Sequence, residues 1–226
     1  MKACFFILLL ASAVVIASGQ PRPEWKGERM LFVGNSITMH GPKEEIGWTG
    51  NWGMAASVAE KDYVHLVVEA VAKMRGKQPA FKAVNMADFE RGYEGFDVAV
   101  KLKEEIAFDA DTVIVGIGEN VPALATQEAV AKFKDALVRL LKTLKADGRN
   151  ALYVRSTFMA DAAKDAVMKE ACALAGGVFI DVSALAKEER NYARSERKIE
   201  HAGVGGHPGD QGMRAIAEAI VAAMKH

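Results

Sequence analysis

The amino-acid sequence predicts a three-layer α/β/α sandwich built on one sheet of five parallel strands. Short apolar runs rich in β-branched residues alternate along the chain with longer segments whose apolar residues recur at helical spacing. Strands and helices that alternate in this way form βαβ units, which place helices on both faces of a parallel sheet. The chain has 226 residues and 50% of them are hydrophobic, which suits one domain with one well-buried core.

The hydrophobicity pattern places each element along the chain. The uninterrupted β-branched run 112–116 is the clearest strand, since a strand buried on both faces needs no polar alternation. The amphipathic period is clearest in 126–146, which is typical of a helix lying on a sheet. The predicted strands are 29–33, 81–86, 112–116, 151–154 and 178–180, and the predicted helices are 63–74, 98–108, 126–146, 160–175 and 211–224.

The N-terminus has the pattern of a secretory signal peptide. Lys2 precedes an apolar run over 3–17, and small residues follow at Ser18 and Gly19. The run is short for a membrane-spanning helix, and an uncleaved anchor is the weaker alternative. We expect a signal peptide over 1–19, a linker over 20–27 and one domain over 28–226. The protein would then be secreted or periplasmic, without stable membrane association after cleavage.

Composition narrows the partners and cofactors that we expect. Lys and Arg together number 29, as do Asp and Glu, and this balance does not indicate a nucleic-acid partner, which would require a basic patch. Cys4 lies in the predicted leader, so Cys172 is the one cysteine of the expected mature chain, and its place in a helical apolar pattern indicates a buried structural residue. The scattered histidines match no metal-ligand spacing, so we expect no metal and no cofactor.

Three polar residues lie beside the ends of predicted elements. Ser36 follows the first strand, Asn120 follows the third, and His207 precedes the last helix, which Asp210 could cap. Ligands of such folds bind outside the carboxyl ends of the strands. A turn serine, a capping asparagine and a loop histidine are each ordinary when found alone. Their occurrence together, in this order and on these elements, is much more specific than any one of them.

These blocks together resemble those of the SGNH/GDSL hydrolases, a family of ester hydrolases with a flavodoxin-like sandwich. The matched segments are Gly34-Asn35-Ser36 after the first strand, Gly118-Glu119-Asn120 after the third and His207-Pro208 before the last helix. The resemblance implies a serine esterase with Ser36 as nucleophile and His207 as base. It also implies an oxyanion hole made by the Ser36 N–H, the Asn120 amide and one backbone N–H, for which Glu90 aligns best and Gly92 is the rival.

The chain has Asn35 where the family has aspartate beside the nucleophile, and it departs from the family pattern at two further points. The family has glycine where Glu90 aligns, although any residue except proline retains a backbone N–H. The family also has an aspartate three residues before the histidine, where this chain has Val204. Glu200 and Asp181 are the candidate acids, and each could equally be an ordinary surface or capping carboxylate. A backbone carbonyl that orients His207 is the other alternative, and it would leave a Ser–His dyad.

The substrate is expected to be a small-molecule or glycan ester. Trp48 and Trp52 lie in a Gly-rich loop after Ser36 and could wall the substrate site, although they could equally cover the edge of the core. Export and a small fold favour esters that occur outside the cell, and the family resemblance implies acetyl esters on carbohydrate, as in many SGNH enzymes. The alternatives are a non-catalytic carbohydrate-binding protein that retains the fold, and a lysophospholipase or thioesterase. A hydrogen bond between Ser36 and His207 beside an open pocket would favour the enzyme over the binding protein.

Overall fold

The computed structural model describes Val14–Val15 and residues 25–225. Most of the predicted signal peptide and linker therefore lies outside the described residues. No helix in the described part of the chain is long and apolar enough to span a bilayer.

A central parallel sheet organises the fold, as predicted. Its strands are β1 (Arg29–Gly34), β2 (Ala80–Asn85), β3 (Thr112–Gly116), β4 (Ala151–Arg155) and β5 (Val178–Ile180). They lie in the order β5-β4-β3-β1-β2, and all four neighbouring pairs are parallel. The two-residue strand Val14–Val15 pairs antiparallel with β5 at one edge. Because β1 lies between β2 and β3, the segments that follow these three strands meet at one edge of the sheet.

Helices cover both faces of the sheet. The helices are α1 (Tyr63–Arg75), α2 (Ala87–Gly92), α3 (Val98–Lys101), α4 (Lys103–Ala107), α5 (Gln127–Leu144), α6 (Ala162–Leu174), α7 (Ala193–Glu196), α8 (Ala202–Gly205) and α9 (Asp210–Met224). Helices α5 and α6 pack with Leu31 and Val33 of β1 on one face. Helices α1 and α9 pack with Met30 and Phe32 on the other face. The alternation along β1 thus supplies both halves of the core.

The amphipathic period of α5 is confirmed by its burial. Thr126 begins the helix as its N-cap, where its side chain accepts a hydrogen bond from the Ala129 N–H. The apolar stripe is buried at Phe133, Ala136, Leu137, Leu140, Leu141 and Leu144. Full burial of one such leucine contributes about 1.5–3 kcal/mol. Cys172 of α6 is also fully buried, as expected, and this burial raises the pKa of its thiol to about 12.

Two helical expectations were wrong in detail. The predicted helix 98–108 is divided into α3 and α4, because Leu102 leaves the helical region (φ −111°, ψ 25°) and is buried in the core. Asp210 does not cap α9. Its carboxylate instead accepts hydrogen bonds from the Ser57 N–H and hydroxyl and from Lys61. The Glu196 carboxylate caps α9 instead, since it accepts hydrogen bonds from the backbone N–H groups of Asp210 and Gln211 in the first turn of the helix.

Candidate active site

A tight turn at the end of β1 presents Ser36. The side-chain oxygen of Asn35 accepts a hydrogen bond from the Ile37 N–H, and its backbone carbonyl accepts one from the Thr38 N–H at 2.9 Å. Gly34 is required for this turn, because a Cβ atom there would lie 1.8 Å from the Thr38 hydroxyl oxygen. The turn leaves Ser36 half-buried at the carboxyl edge of the sheet.

Ser36 and His207 form a hydrogen-bonded pair across 171 residues of sequence. The Ser36 Oγ atom lies 2.8 Å from His207 Nε2. The other ring nitrogen, Nδ1, lies 2.7 Å from the Gly203 carbonyl oxygen. A carbonyl oxygen only accepts hydrogen bonds, so in the neutral imidazole Nδ1 carries the proton and Nε2 accepts from the serine hydroxyl. This is the tautomer that a general base needs.

The Gly203 carbonyl occupies the place of the missing acid. Helix α8 carries this carbonyl, and His201 caps that helix, since its Nδ1 accepts a hydrogen bond from the Val204 N–H at 3.3 Å. Neither candidate acid contacts His207. Glu200 is exposed and pairs with Lys198, and Asp181 accepts from the Ser183 N–H and hydroxyl. The expectation of an acid at Glu200 or Asp181 was therefore wrong, and the structure has the alternative that the sequence left open, a Ser–His dyad oriented by a backbone carbonyl.

Two of the three expected oxyanion donors line one pocket. The Ser36 N–H donates no hydrogen bond within the described residues, so it is free to bind an anionic oxygen. The Asn120 side chain lines the same pocket. The assignment to the Glu90 N–H was wrong, because that group donates to the Met86 carbonyl at 3.2 Å and Glu90 is fully buried outside the pocket. Asp88, which does line the pocket, has a backbone N–H without a partner among the described residues.

The rival residue Gly92 does not line the pocket either. It is the last residue of α2 and is exposed, with nothing within 4 Å of the position where a Cβ would lie.

A buried polar cluster lies behind the pocket and joins the loops after β1, β3 and β4 to helix α2. The Asn35 amide donates to Glu90 at 3.1 Å and to Glu119 at 2.6 Å. Glu119 also accepts from Arg155 at 2.8 Å and from the Phe158 N–H at 2.9 Å. The side chains of Glu119 and Arg155 are 6% and 0% exposed. An amide that donates to two carboxylates explains asparagine beside the nucleophile, since an aspartate here would add a third negative charge.

The cluster also sets the charge of its carboxyl groups. Burial raises the pKa of Glu119, but the charge and hydrogen bond of Arg155 outweigh it and hold this pKa below its ordinary value. Burial, and then the charge of Glu119, raise the pKa of Glu90. Hydrogen bonds from Asn120, Asn35 and the Gly118 N–H oppose that rise.

The pocket in front of the dyad has a volume of about 390 Å³. Its apolar wall includes Ile46, Met54 and Val204, and its polar wall includes Asp88 and Arg91. His40 and His201 also line it, although their positions in the sequence indicated no site. Among residues 25–225, no group of three or more His, Cys, Asp or Glu is placed to hold a metal ion.

The tryptophan loop lines a second, adjoining pocket of about 750 Å³. Ile46, His201 and Val204 line both pockets, so the two are contiguous. Trp48 and Trp52 contact each other edge to face, with ring centroids 5.5 Å apart. Trp48 is only 7% exposed and packs in a core cluster with Val204. The loop therefore covers the core and walls a pocket at the same time.

The charge state of His207 predicts the pH dependence of the site. Burial lowers the pKa of His207 below its ordinary value of 6.5, against the opposing effects of the Gly203 carbonyl and Glu119. Nearby His40 and His201 lower this pKa further. A base works only when neutral, so kcat/KM for a neutral ester should fall on acidification with an apparent pKa below 6.5. A pH–rate profile in buffers of constant ionic strength measures it, and an acid limb above this value would contradict the prediction.

Comparisons with known proteins place this geometry in a recognised fold. No family model matches the sequence, and no curated protein is similar to it by sequence. The structure is similar to a lipase/acylhydrolase from Enterococcus faecalis, with a TM-score of 0.60, 19% identity, and coverage of 88% of this chain and 95% of that one. It is also similar to a protein described as a GDSL-like lipase from Parabacteroides merdae. The TM-score is 0.53 with 16% sequence identity, and the match covers 91% of this chain and 99% of that one.

A third similar structure is an active-site mutant of a family two carbohydrate esterase from Clostridium thermocellum. Its TM-score is 0.50 with 15% sequence identity, and the match covers 91% of this chain and 64% of that chain. Together these similarities confirm the expected architecture: the chain has the fold of the SGNH/GDSL hydrolases.

Proposed function

We propose that the protein is a serine ester hydrolase in which Ser36 is the nucleophile and His207 the general base. The observation that carries the proposal is the 2.8 Å contact between Ser36 Oγ and His207 Nε2 at the wall of an open pocket. The hydrogen bond from Nδ1 to the Gly203 carbonyl holds the imidazole in the productive tautomer. A protein that only binds its ligand gains nothing from this arrangement, which disfavours the non-catalytic alternative.

In the acylation step, His207 Nε2 takes the hydroxyl proton of Ser36 as Oγ attacks the ester carbonyl carbon. The negative charge moves to the carbonyl oxygen, where the Ser36 N–H and the Asn120 amide donate to it. The tetrahedral intermediate then collapses and the bond to the alcohol oxygen breaks. His207 returns its proton to that oxygen, and the alcohol leaves an acyl-serine behind.

Deacylation repeats the same chemistry with water as the nucleophile. His207 takes a proton from water as the water oxygen attacks the acyl carbon. The same donors hold the second oxyanion, and collapse returns the proton to Ser36 and releases the carboxylic acid. The developing imidazolium faces a neutral carbonyl rather than a carboxylate, so it receives less stabilisation than in a triad.

The proposed substrates are small acyl esters, acetyl esters above all, carried on carbohydrate. The Ser36 pocket of about 390 Å³ has Met54 and Val204 in its wall and suits a short acyl group better than a long chain. The contiguous pocket walled by Trp48 and Trp52 would hold the sugar. The fold is shared with a family two carbohydrate esterase, which supports the proposal. We also propose that the chain is exported, because of the signal-peptide pattern over 1–19.

Two assays test the ester hydrolase. The purified protein should release p-nitrophenol from p-nitrophenyl acetate with saturation kinetics, and a fluorophosphonate should modify it once, at Ser36, as peptide mass spectrometry would show. Acetate release from a panel of acetylated glycans then identifies the sugar. A protein that hydrolyses none of these esters and takes up no fluorophosphonate would be a binding protein.

The Trp48→Ala substitution tests the sugar pocket. Loss of one aromatic contact of about 1–1.5 kcal/mol should raise KM for an acetylated oligosaccharide about tenfold. Hydrolysis of p-nitrophenyl acetate, which does not reach the second pocket, should change much less. Trp25→Ala is the matched control, because Trp25 is a partly buried tryptophan that lines neither pocket. Equal loss on both substrates would indicate damage to the core cluster and contradict the sugar-binding role.

A further inference from the structure

Glu90 has an unusual set of contacts for a residue in the position of a glycine. Its side chain is fully buried, and four N–H groups point at its two carboxylate oxygens. Oxygen Oε1 accepts from the Asn35 amide and from the backbone N–H groups of Gly118 and Asn120. Oxygen Oε2 accepts from the Asn120 side-chain amide at 2.6 Å. The carboxylate therefore contacts both the backbone and the side chain of the expected oxyanion donor.

These contacts determine which way the Asn120 amide faces. A carboxylate only accepts hydrogen bonds, so the Asn120 nitrogen must face Glu90. On the other side, Arg91 Nη2 lies 3.3 Å from Asn120 Oδ1, and a guanidinium only donates. Both neighbours specify the same orientation of the amide. One of the two amide hydrogens binds Glu90, and the other is left for an oxygen in the pocket.

We propose that Glu90 is a positioning residue that holds the Asn120 amide in the orientation that donates to the oxyanion. The inference rests on the proposed ester hydrolase function and adds a specific role for a side chain that does not enter the pocket. Gly118 assists it: its backbone has φ +121°, and a Cβ there would lie 2.6 Å from Thr157 Cγ2, so the loop can approach Glu90 only with glycine at this position. Helix α2 thus contributes to the oxyanion hole through a carboxylate.

The Glu90→Gln substitution is the direct test. A glutamine that keeps its oxygen toward the three donors at the Oε1 position presents its NH₂ group to Asn120. The Asn120 amide must then turn its own oxygen to that NH₂ group, and the pocket loses a donor. We expect kcat for p-nitrophenyl acetate to fall by about 10²–10³-fold, the usual effect of losing one oxyanion donor. KM should change little, because the interaction is made in the transition state.

A double-mutant cycle separates positioning from a general structural effect. In the Asn120→Ala background, Glu90→Gln should lower kcat by no more than about twofold, because the group that Glu90 positions is already absent. Glu119→Gln is the matched control. It neutralises a second carboxylate of the same buried cluster that does not contact the Asn120 side chain, and its effect on kcat should multiply with that of Asn120→Ala. Equal effects of Glu90→Gln in both backgrounds would overturn the proposal.

A charge-conserving exchange keeps the test decisive if Glu90→Gln fails to fold. In the double variant Glu90→Gln/Asn120→Asp, the donor and acceptor change sides and the charge of the pair is unchanged. It should recover thermal stability relative to Glu90→Gln while its kcat stays as low as that of Asn120→Ala, since no amide N–H remains at position 120. Failure to recover stability would show that the two side chains are not a matched pair. Ester hydrolysis by the unsubstituted protein is measured separately. If that protein is inactive, the ester hydrolase proposal fails, and this outcome is distinct from a failure of the positioning role of Glu90.

Discussion

Replacing Ser36 with alanine should lower kcat for p-nitrophenyl acetate by about four to six orders of magnitude. The substitution removes the only oxygen within hydrogen-bonding distance of His207 Nε2 among the described residues. The remaining site retains His207 and the oxyanion donors, so only slow attack by water on the bound ester is left. The lower end of the range is favoured, because a carbonyl rather than a carboxylate supports His207. Stopped assays with long incubation measure the residual rate.

The fold should tolerate this change. The Ser36 hydroxyl contributes one hydrogen bond, which pocket water can replace at His207, so thermal unfolding should shift little. Ser195→Ala is the matched control, since Ser195 is an exposed serine whose hydroxyl donates to the Tyr192 carbonyl and which lines neither pocket. If the Ser36→Ala protein kept about a tenth or more of the activity, another group would have to perform the hydrolysis.

The parts of the site that sequence could predict are those tied to the ends of regular elements. The alternation of strands and helices placed Ser36 and Asn120 after neighbouring strands, and the topological rule for parallel sheets brought them to one edge. His207 joins them because α9 packs beside α1 on the same face of the sheet. These residues lie far apart in sequence, yet each is specified by its own strand or helix.

The supporting roles of the Glu90 side chain, the Arg155 side chain and the Gly203 carbonyl were not predicted, because nothing in the sequence pattern indicates them. Glu90 lies in a polar segment beside Asp88 and Arg91, where a glutamate normally faces solvent, and only the tertiary structure shows that it is buried. Arg155 is the last residue of β4, where an arginine would normally be expected at the surface. It is instead fully buried beneath Gly116 and paired with Glu119. The Gly203 carbonyl is a backbone group, and every residue has one. The sequence therefore left a backbone carbonyl open as the alternative to Glu200 and Asp181, but it could not indicate which residue would supply that carbonyl.

The missing aspartate and the extra glutamate have one feature in common. In both places the chain uses a different kind of group from the one that the family resemblance implies. At His207, a backbone carbonyl takes the place of a side-chain acid. At the oxyanion hole, the side-chain carboxylate of Glu90 supports Asn120, where a backbone N–H of Glu90 was expected to bind the oxyanion. Both substitutions keep the reacting atoms where the chemistry needs them. Placement of Ser36, His207 and Asn120 is therefore the sounder guide to activity than the identity of the residues around them.

The Asn120→Ala substitution tests that view at the oxyanion. Removing the amide takes away one of the donors at the pocket wall, which should lower kcat by about two to three orders of magnitude, or about 3–4 kcal/mol of barrier. KM should stay nearly constant, because the carbonyl oxygen of the ground state carries little charge. The Ser36 N–H and the dyad remain, so the residual rate should exceed that of Ser36→Ala.

The same substitution should also change how the stability of the protein depends on pH. Asn120→Ala leaves the Glu90 carboxylate without its shortest hydrogen bond from a side chain, at 2.6 Å, which should raise the pKa of Glu90 further and cost stability. Because a raised carboxyl pKa destabilises the folded state only where the unfolded chain is ionised, the stability loss should be larger at neutral pH than at pH values below about 4. Thermal unfolding of both proteins across this range measures it. An unchanged kcat would contradict the oxyanion role of Asn120, and a stability loss independent of pH would contradict its pairing with Glu90.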